Sequence, residues 1–251
     1  MFSFLRKKKN ESIVKAPPLK IDLHSHLIPG IDDGAKTLEE SLSLLQSMKE
    51  LGYERVITTP HIMLDSYRNT PEGIRSQLDG LRVAAKEAKI DIEIDAAAEY
   101  YLDDGFLDHL HSGNLLSIGE CILIETSYIV KPMQFEEMIF EMSAAGYKPI
   151  LAHPERYRYI KQMPQEYEAM KEKGIYFQLN LNSLGGYYGK DAKAKAEFLS
   201  NAGMVDFVGS DIHSMKQIEA LKAVKETPDY HRLFQHNTIL NDTLLNLTHK
   251  E

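Results

Sequence analysis

The sequence predicts an α/β fold in which about seven βα units form a distorted (β/α)7 barrel, and three observations carry that expectation. A polar-faced helical pattern, a glycine and a short β-rich run recur in that order along the chain. Helix starts carry recognisable caps. The β-rich runs end in polar residues, as strands do when a barrel gathers its chemistry at their C-terminal ends.

Taken in order, residues 21–24 alternate apolar and polar, which reads as a strand presenting Asp22, His24 and His26 on one face. Thr37-Leu38-Glu39-Glu40 fits a capping box for a helix reaching about Leu51, and Thr70-Pro71 is a cap followed by proline at the first helical position. Gly52, Gly146, Gly174 and Gly203 each stand between a helical pattern and a β-rich run, where a left-handed residue releases the chain into the next strand. Four such junctions imply parallel strands. With the runs at 92–97 and 122–125, strands are expected near residues 21, 56, 94, 123, 150, 177 and 206. An open doubly wound sheet is the alternative, but no βα turn carries a Gly-rich dinucleotide fingerprint.

At 251 residues and 43% hydrophobic content, the chain is long enough for one large domain. That domain is expected over residues 20–251, behind a flexible basic N-terminal tail at 1–19. The tail's charges follow its apolar patch, the reverse of a signal peptide, and no transmembrane segment is expected. Two phenylalanines beside clustered basic residues allow a weak contact with an anionic membrane surface. A net charge of −8 argues against a nucleic-acid partner. The single cysteine, Cys121, excludes a disulfide framework and a thiolate zinc site, and points to a reducing, cytoplasmic location. A cysteine phosphatase is excluded too, since the sixth residue after Cys121 is Ser127 where arginine would be needed to hold phosphate.

The strand ends carry the functional signal. His24 and His26 end the first, His61 the second, Glu99 the third, Glu125 the fourth, His153 the fifth, and Asp211 and His213 the seventh; Asn180 and Asn182, poor ligands, end the sixth. A ring of carboxylates in a low-dielectric pocket is costly without cations, so their convergence asks for bound metal. His109-Leu110-His111 repeats the His-x-His spelling, but residues 103–111 look helical, and i and i+2 face different sides.

In Asp22-Leu23-His24-Ser25-His26, Asp32-Asp33-Gly34, Thr59-Pro60-His61, Ala98-Glu99, Ile124-Glu125, Ala152-His153-Pro154-Glu155-Arg156-Tyr157 and Ser210-Asp211-Ile212-His213, the chain resembles the PHP superfamily. Its branch is similar to the metal-dependent bacterial protein-tyrosine phosphatases of capsule and exopolysaccharide operons. Asp33 suggests that branch, standing where other branches carry a third histidine. The resemblance implies a PHP-type, TIM-barrel-like fold and three divalent ions. His24, His26, Glu99 and Asp211 would hold the first, Glu99, Glu125 and His153 the second, and Asp33, His61 and His213 the third. Manganese is the expected metal, with iron, zinc or cobalt as alternatives. Arg156 is the expected catalytic and substrate-binding residue, placed to clamp phosphoryl oxygens. The implied partner is a phosphotyrosine protein, the tail of a bacterial tyrosine kinase controlling polysaccharide export. Two other readings stand beside it: a PHP phosphoesterase acting on a small phosphomonoester such as histidinol phosphate, and an inactive metal-binding partner of such a kinase.

Overall fold

The structure, a computed structural model, describes residues 13–246. Most of the basic tail, with its membrane contact, therefore lies outside the described residues. Of the rest of the tail, Leu19 is buried and the Ala16 N–H donates to His231 Nδ1 at 3.2 Å.

Among the described residues nine short strands are seen where about seven are expected: β1 (Ile21–Asp22), β2 (Arg55–Thr58), β3 (His61–Ile62), β4 (Glu93–Ala96), β5 (Glu99–Tyr101), β6 (Cys121–Glu125), β7 (Lys148–Ala152), β8 (Tyr176–Asn180) and β9 (Phe207–Gly209). The surplus arises because the second and third expected strands are each broken once. Pro60, with no N–H for the ladder, lies between β2 and β3. Where β4 gives way to β5, the Ala97 N–H still reaches Thr58 while that of Glu99 reaches Pro60. Every pairing between these strands is parallel, in the orders β1-β2-β4 and β3-β5-β6-β7-β8-β9. The break thus divides one run of neighbours into two sheets and turns the later halves of two strands toward the site.

The last segment of the described chain ties β1 to β9. Asn241, in a short 3-10 helix at Asn241–Asn246, donates to the carbonyls of Ile21 and Val208 and accepts from the Val208 N–H, all at 2.8–3.0 Å. Beyond the two strands, Ser25 and Ile212 form a parallel bridge.

Helices α1 (Leu38–Glu50), α2 (Pro71–Glu87), α3 (Phe106–Ser112), α4 (Phe135–Ala144), α5 (Gln165–Glu172), α6 (Leu181–Leu184), α7 (Lys190–Asn201), α8 (Met215–Lys225) and α9 (Pro228–His236) fill the connections. The Thr37 and Thr70 side chains cap α1 and α2, accepting from the Glu40 and Gly73 N–H groups. Gly52, Gly146, Gly174 and Gly203 all have φ between 69° and 93°, a conformation that costs a β-carbon-bearing residue.

Alternation along the strands sorts the core into two clusters. Ile122 and Ile124 of β6 join the larger cluster, with helix residues such as Leu44, Leu81, Met138 and Leu221. Cys121 and Leu123 of the same strand face the other way, into a smaller cluster with Ile21, Leu23, Ile57, Ile150 and Phe207 that contains no residue of α1–α9 among the described residues. This plug lies immediately beneath the polar strand ends. No helix among the described residues is long and apolar enough to cross a membrane.

Candidate metal centre

All nine residues expected as ligands come together. His24 and His26 lie just past β1, which is two residues long, shorter than the alternation implied; Asp22 takes no part, accepting instead from the Ser210 N–H and hydroxyl at 2.8 Å each. The backbone of the His-x-His segment is held between two others: the Asp211 N–H donates to the His24 carbonyl at 2.8 Å and that of Thr59 to Ser25 at 2.7 Å. His61 and Glu99 open β3 and β5 as register partners, and Glu125 closes β6. His153 and Asp211 leave β7 and β9 with φ of 35° and 51°. Left-handed backbone at non-glycine residues costs on the order of 1 kcal/mol each, and such strain concentrates where side-chain aim matters more than local comfort.

Glu99 is the hub. Its Oε2 lies 3.2 Å from His24 Nε2, 3.4 Å from His26 Nε2 and 3.2 Å from His61 Nδ1, while its Oε1 lies 3.2 Å from His153 Nε2. Asp211 Oδ1 is 3.4 Å and 3.6 Å from the same nitrogens of His24 and His26. Glu125 stands 3.5 Å from His153 and 3.7 Å from His61. Nearer solvent, Asp33 Oδ1 lies 3.4 Å from His61 Nε2 and 3.3 Å from His213 Nε2.

The hydrogen bonds behind the first rings determine what those rings offer. Asp211 can only accept, so Asn180 Nδ2 donates to its Oδ2 at 2.6 Å. Asn180 Oδ1 then accepts from Gln178 Nε2 at 2.9 Å, which leaves Gln178 Oε1 to accept from His24 Nδ1 at 2.7 Å. In the same way Asp32 accepts from His26 Nδ1 at 2.7 Å, and the Asp211 carbonyl faces His213 Nδ1 at 3.0 Å. Each neutral ring therefore carries its proton at Nδ1 and turns a bare Nε2 inward. The two bare nitrogens of His24 and His26 face each other at 3.3 Å, flanked by carboxylates from Glu99 and Asp211, all of them buried. Four acceptors around one point repel unless a cation lies among them. His61 Nδ1, buried without a hydrogen-bond partner, is aimed at Glu99 and Glu125. The donor set of imidazoles and carboxylates without thiolate fits a divalent first-row metal.

The titration behaviour follows from the same crowding. Burial disfavours a charged His24, but Glu99 and Asp211 outweigh it and raise its pKa to about 10; His61 is raised to about 10 chiefly by Glu99 against its own burial. Burial, then Glu99, pushes Glu125 up to about 7. Protons thus substitute, imperfectly, for the charge the pocket calls for.

Arg156 Nη1 donates to Asp211 Oδ2 at 2.9 Å, and its guanidinium lies 4.6 Å from the Tyr128 ring centre and 4.3 Å from that of Tyr188. The two rings fix its plane at the mouth of an inner recess of about 190 Å³ over the cluster. From there a cleft of about 790 Å³ opens outward, walled by Tyr67, Tyr101, Tyr128 and Tyr188. Glu155, in the same motif, turns away into the core to accept from the Asn180 N–H and the Ser183 hydroxyl.

Sequence reasoning gave no role to Asp32, Gln178, Asn180, Tyr128 or Tyr188. Asp32 was readable as the neighbour of Asp33, and Asn180 as a polar strand end; the two tyrosines stand in connections whose path a sequence does not specify. A close approach at Gly209 belongs with this network, since a β-carbon there would lie 2.6 Å from Gln178 Nε2 and 2.7 Å from His24 Cβ. His109 and His111 fall on α3, away from the cluster, and Cys121 is buried at the start of β6, its thiol pushed up to about 11 by burial.

Comparison with known proteins yields consistent matches. Residues 20–227 match the family model for capsular polysaccharide synthesis, CpsB/CapC. The tyrosine-protein phosphatase YwqE of Bacillus subtilis (strain 168) is 32% identical over 198 residues, covering 78% of each chain. The tyrosine-protein phosphatase CpsB of Streptococcus pneumoniae is 27% identical over 202 residues, 78% of this chain and 83% of its own. A chain from the crystal structures of YwqE and CpsB, unique metal-dependent tyrosine phosphatases, superposes with TM-score 0.75 at 29% identity, covering 87% of this chain and 96% of that one.

Proposed function

We propose, from the premise that the chain belongs to the CpsB/CapC family of capsular polysaccharide synthesis, that it is a metal-dependent protein-tyrosine phosphatase. The observation that carries the reading is the pair of bare imidazole nitrogens facing each other between two buried carboxylates, directly beneath an arginine held between two tyrosine rings. The mutual distances support three divalent ions allocated as the family resemblance implies: His24, His26, Glu99 and Asp211 for one, Glu99, Glu125 and His153 for a second, and Asp33, His61 and His213 for a third. Manganese is our choice, with iron, zinc or cobalt able to take the same donors. When bound, such ions supply a water acidic enough to attack at neutral pH and neutralise the phosphoryl oxygens.

The chain's own residues do the rest. Glu99, with both oxygens engaged, holds the ligand rings at fixed separation, and Gln178, Asn180 and Asp32 keep the ring protons on the outward nitrogens. Arg156 stays protonated at any working pH and presents a planar pair of donors to phosphoryl oxygens, offsetting charge as the ester bond breaks. A phenolate leaving group, with a conjugate acid near pKa ~10, departs without proton donation from a side chain. The four tyrosines of the cleft wall suit a substrate that is itself an aromatic ring on an extended chain. A small amino phosphate is less well served: of the carboxylates lining the outer cleft, Asp33 and Glu125 face histidines of the cluster, and Asp191 is paired with Lys195 at 3.0 Å.

The distorted (β/α)7 barrel belongs to this proposal as well, supported by the Ser25–Ile212 bridge and the Asn241 hydrogen bonds between β1 and β9. The protein substrate we place with it is the phosphotyrosine-bearing tail of a bacterial tyrosine kinase controlling polysaccharide export, met in the cytoplasm. The test is hydrolysis of a phosphotyrosine peptide before and after chelation, with metal content measured alongside. Activity should vanish with the metal and return with manganese, while iodoacetamide leaves it intact; full activity in metal-free protein would overturn the reading.

A further inference from the structure

The outer cleft carries two cations that nothing in the cluster accounts for. Arg158 and Lys190 both line it, both are exposed, and neither side chain has a hydrogen bond or ion pair among the described residues. The acids beside them are otherwise engaged: Asp33 faces His61 and His213, and Asp191 faces Lys195. The unpaired charge of the outer cleft is therefore positive, on a protein whose net charge is −8.

Their positions are held by the backbone. The Arg158 N–H donates to the Tyr128 carbonyl at 2.6 Å, which fastens its turn to the segment carrying Tyr128. Lys190 is the first residue of α7, directly after Gly189 with φ 97°. A cation at a helix N-terminus opposes the helix dipole, so Lys190 sits where local helix energetics disfavour it. Arg156 lines both the inner recess and the outer cleft, whereas Arg158 and Lys190 line the outer cleft alone.

We propose that Arg158 and Lys190 form an anion-recognising rim that selects phosphotyrosines flanked by negative charge. The proposal rests on the phosphatase reading and deepens it. The anion is a carboxylate or a second phosphoryl group on the same peptide, which share the chemistry an arginine and a lysine recognise. Exposed pairs of this kind are individually weak, so the rim tunes preference and leaves the chemistry to the inner site.

The experiment compares kcat/KM of wild type and the Arg158→Ala/Lys190→Ala double variant on three phosphotyrosine peptides, flanked by alanine, by glutamate, or by a second phosphotyrosine. p-Nitrophenyl phosphate, which carries no flanking anion, serves as reference for the inner site. Wild type should favour at least one anionic peptide over the neutral one by about fivefold at low salt, with the preference shrinking at high salt. The double variant should treat the peptides alike, and whichever anionic peptide wild type favours identifies the anion. Equal treatment by wild type, or a preference that survives in the double variant, overturns the rim. Failure of the phosphatase reading looks different: wild type itself would leave p-nitrophenyl phosphate intact, and the rim would fall with it.

Discussion

The same parallel strands pass through two opposed environments within one to three residues. Leu123 lies in the apolar plug and Glu125 in the cluster; Ile150 and Ala152 lie in the plug and His153 in the cluster; Leu23 lies in the plug and His24 beside Glu99. Below, side chains of ordinary hydrophobic character pack against one another and ask nothing of solvent or ions. Above, nine ionisable groups crowd together at a cost that calls for positive charge among them. Fold stability and catalytic competence are therefore carried by adjacent layers of one set of strands, and substitutions should separate them.

The largest effect is expected at Glu99, whose two oxygens touch four imidazoles. Glu99→Ala should lower kcat/KM on the order of a thousandfold and release metal, as measured by elemental analysis, while far-ultraviolet circular dichroism stays native. Full metal content with full activity in that variant would dissolve the distinction between the layers at its centre. Directly beneath, Leu123→Ala should do the opposite, costing about 3 kcal/mol of unfolding free energy in urea titrations while the folded fraction keeps its turnover number. Arg156→Ala tests the upper layer without removing a ligand: metal content should hold and kcat/KM should fall about a hundredfold, with Arg156→Lys restoring little because a point charge cannot make the planar two-bond contact.

The smallest effect, a few degrees of melting temperature, concerns pH. In metal-free protein the folded pKa values of His24 and His61, about 10 against an ordinary 6.5, mean that their ion pairs with the carboxylates contribute fully below about pH 6.5 and are lost as pH rises through 10. Metal requires these rings neutral, so its contribution grows over the same interval. The gap in melting temperature between manganese-loaded and chelated protein should widen from pH 6 to pH 9; a constant gap would show that protons and metal do not compete for the rings.

The two layers also differ in how far a sequence reveals them. The strand ends were legible because strand-end position is a local property: residues such as Glu125 and His153 declare themselves by following an apolar run. The breaks between β2 and β3 and between β4 and β5 were not legible, since partner switching at Ala97 and Ala98 depends on which strand lies alongside. The hydrogen-bond relay through Gln178 and Asn180 was hidden for the same reason, joining β8 to residues more than 150 positions earlier and about 30 later. Expected strand ends therefore led to side chains that the fold gathers into one cluster, while the residues that orient them emerged only from the folded arrangement.

That relay also has a consequence for chemical ageing. Asn180 can serve it only as an amide, because one end must donate to Asp211 and the other accept from Gln178. Deamidation replaces a single NH2 group by oxygen and would set a second carboxyl group 2.6 Å from Asp211 Oδ2, where the two can remain only by taking up a proton or by moving apart. Either change would shift the Asp211 carboxylate and release Gln178 from the orientation that holds the His24 proton outward. One slow hydrolysis in the interior, with no change in length, fold or surface, would retire the enzyme.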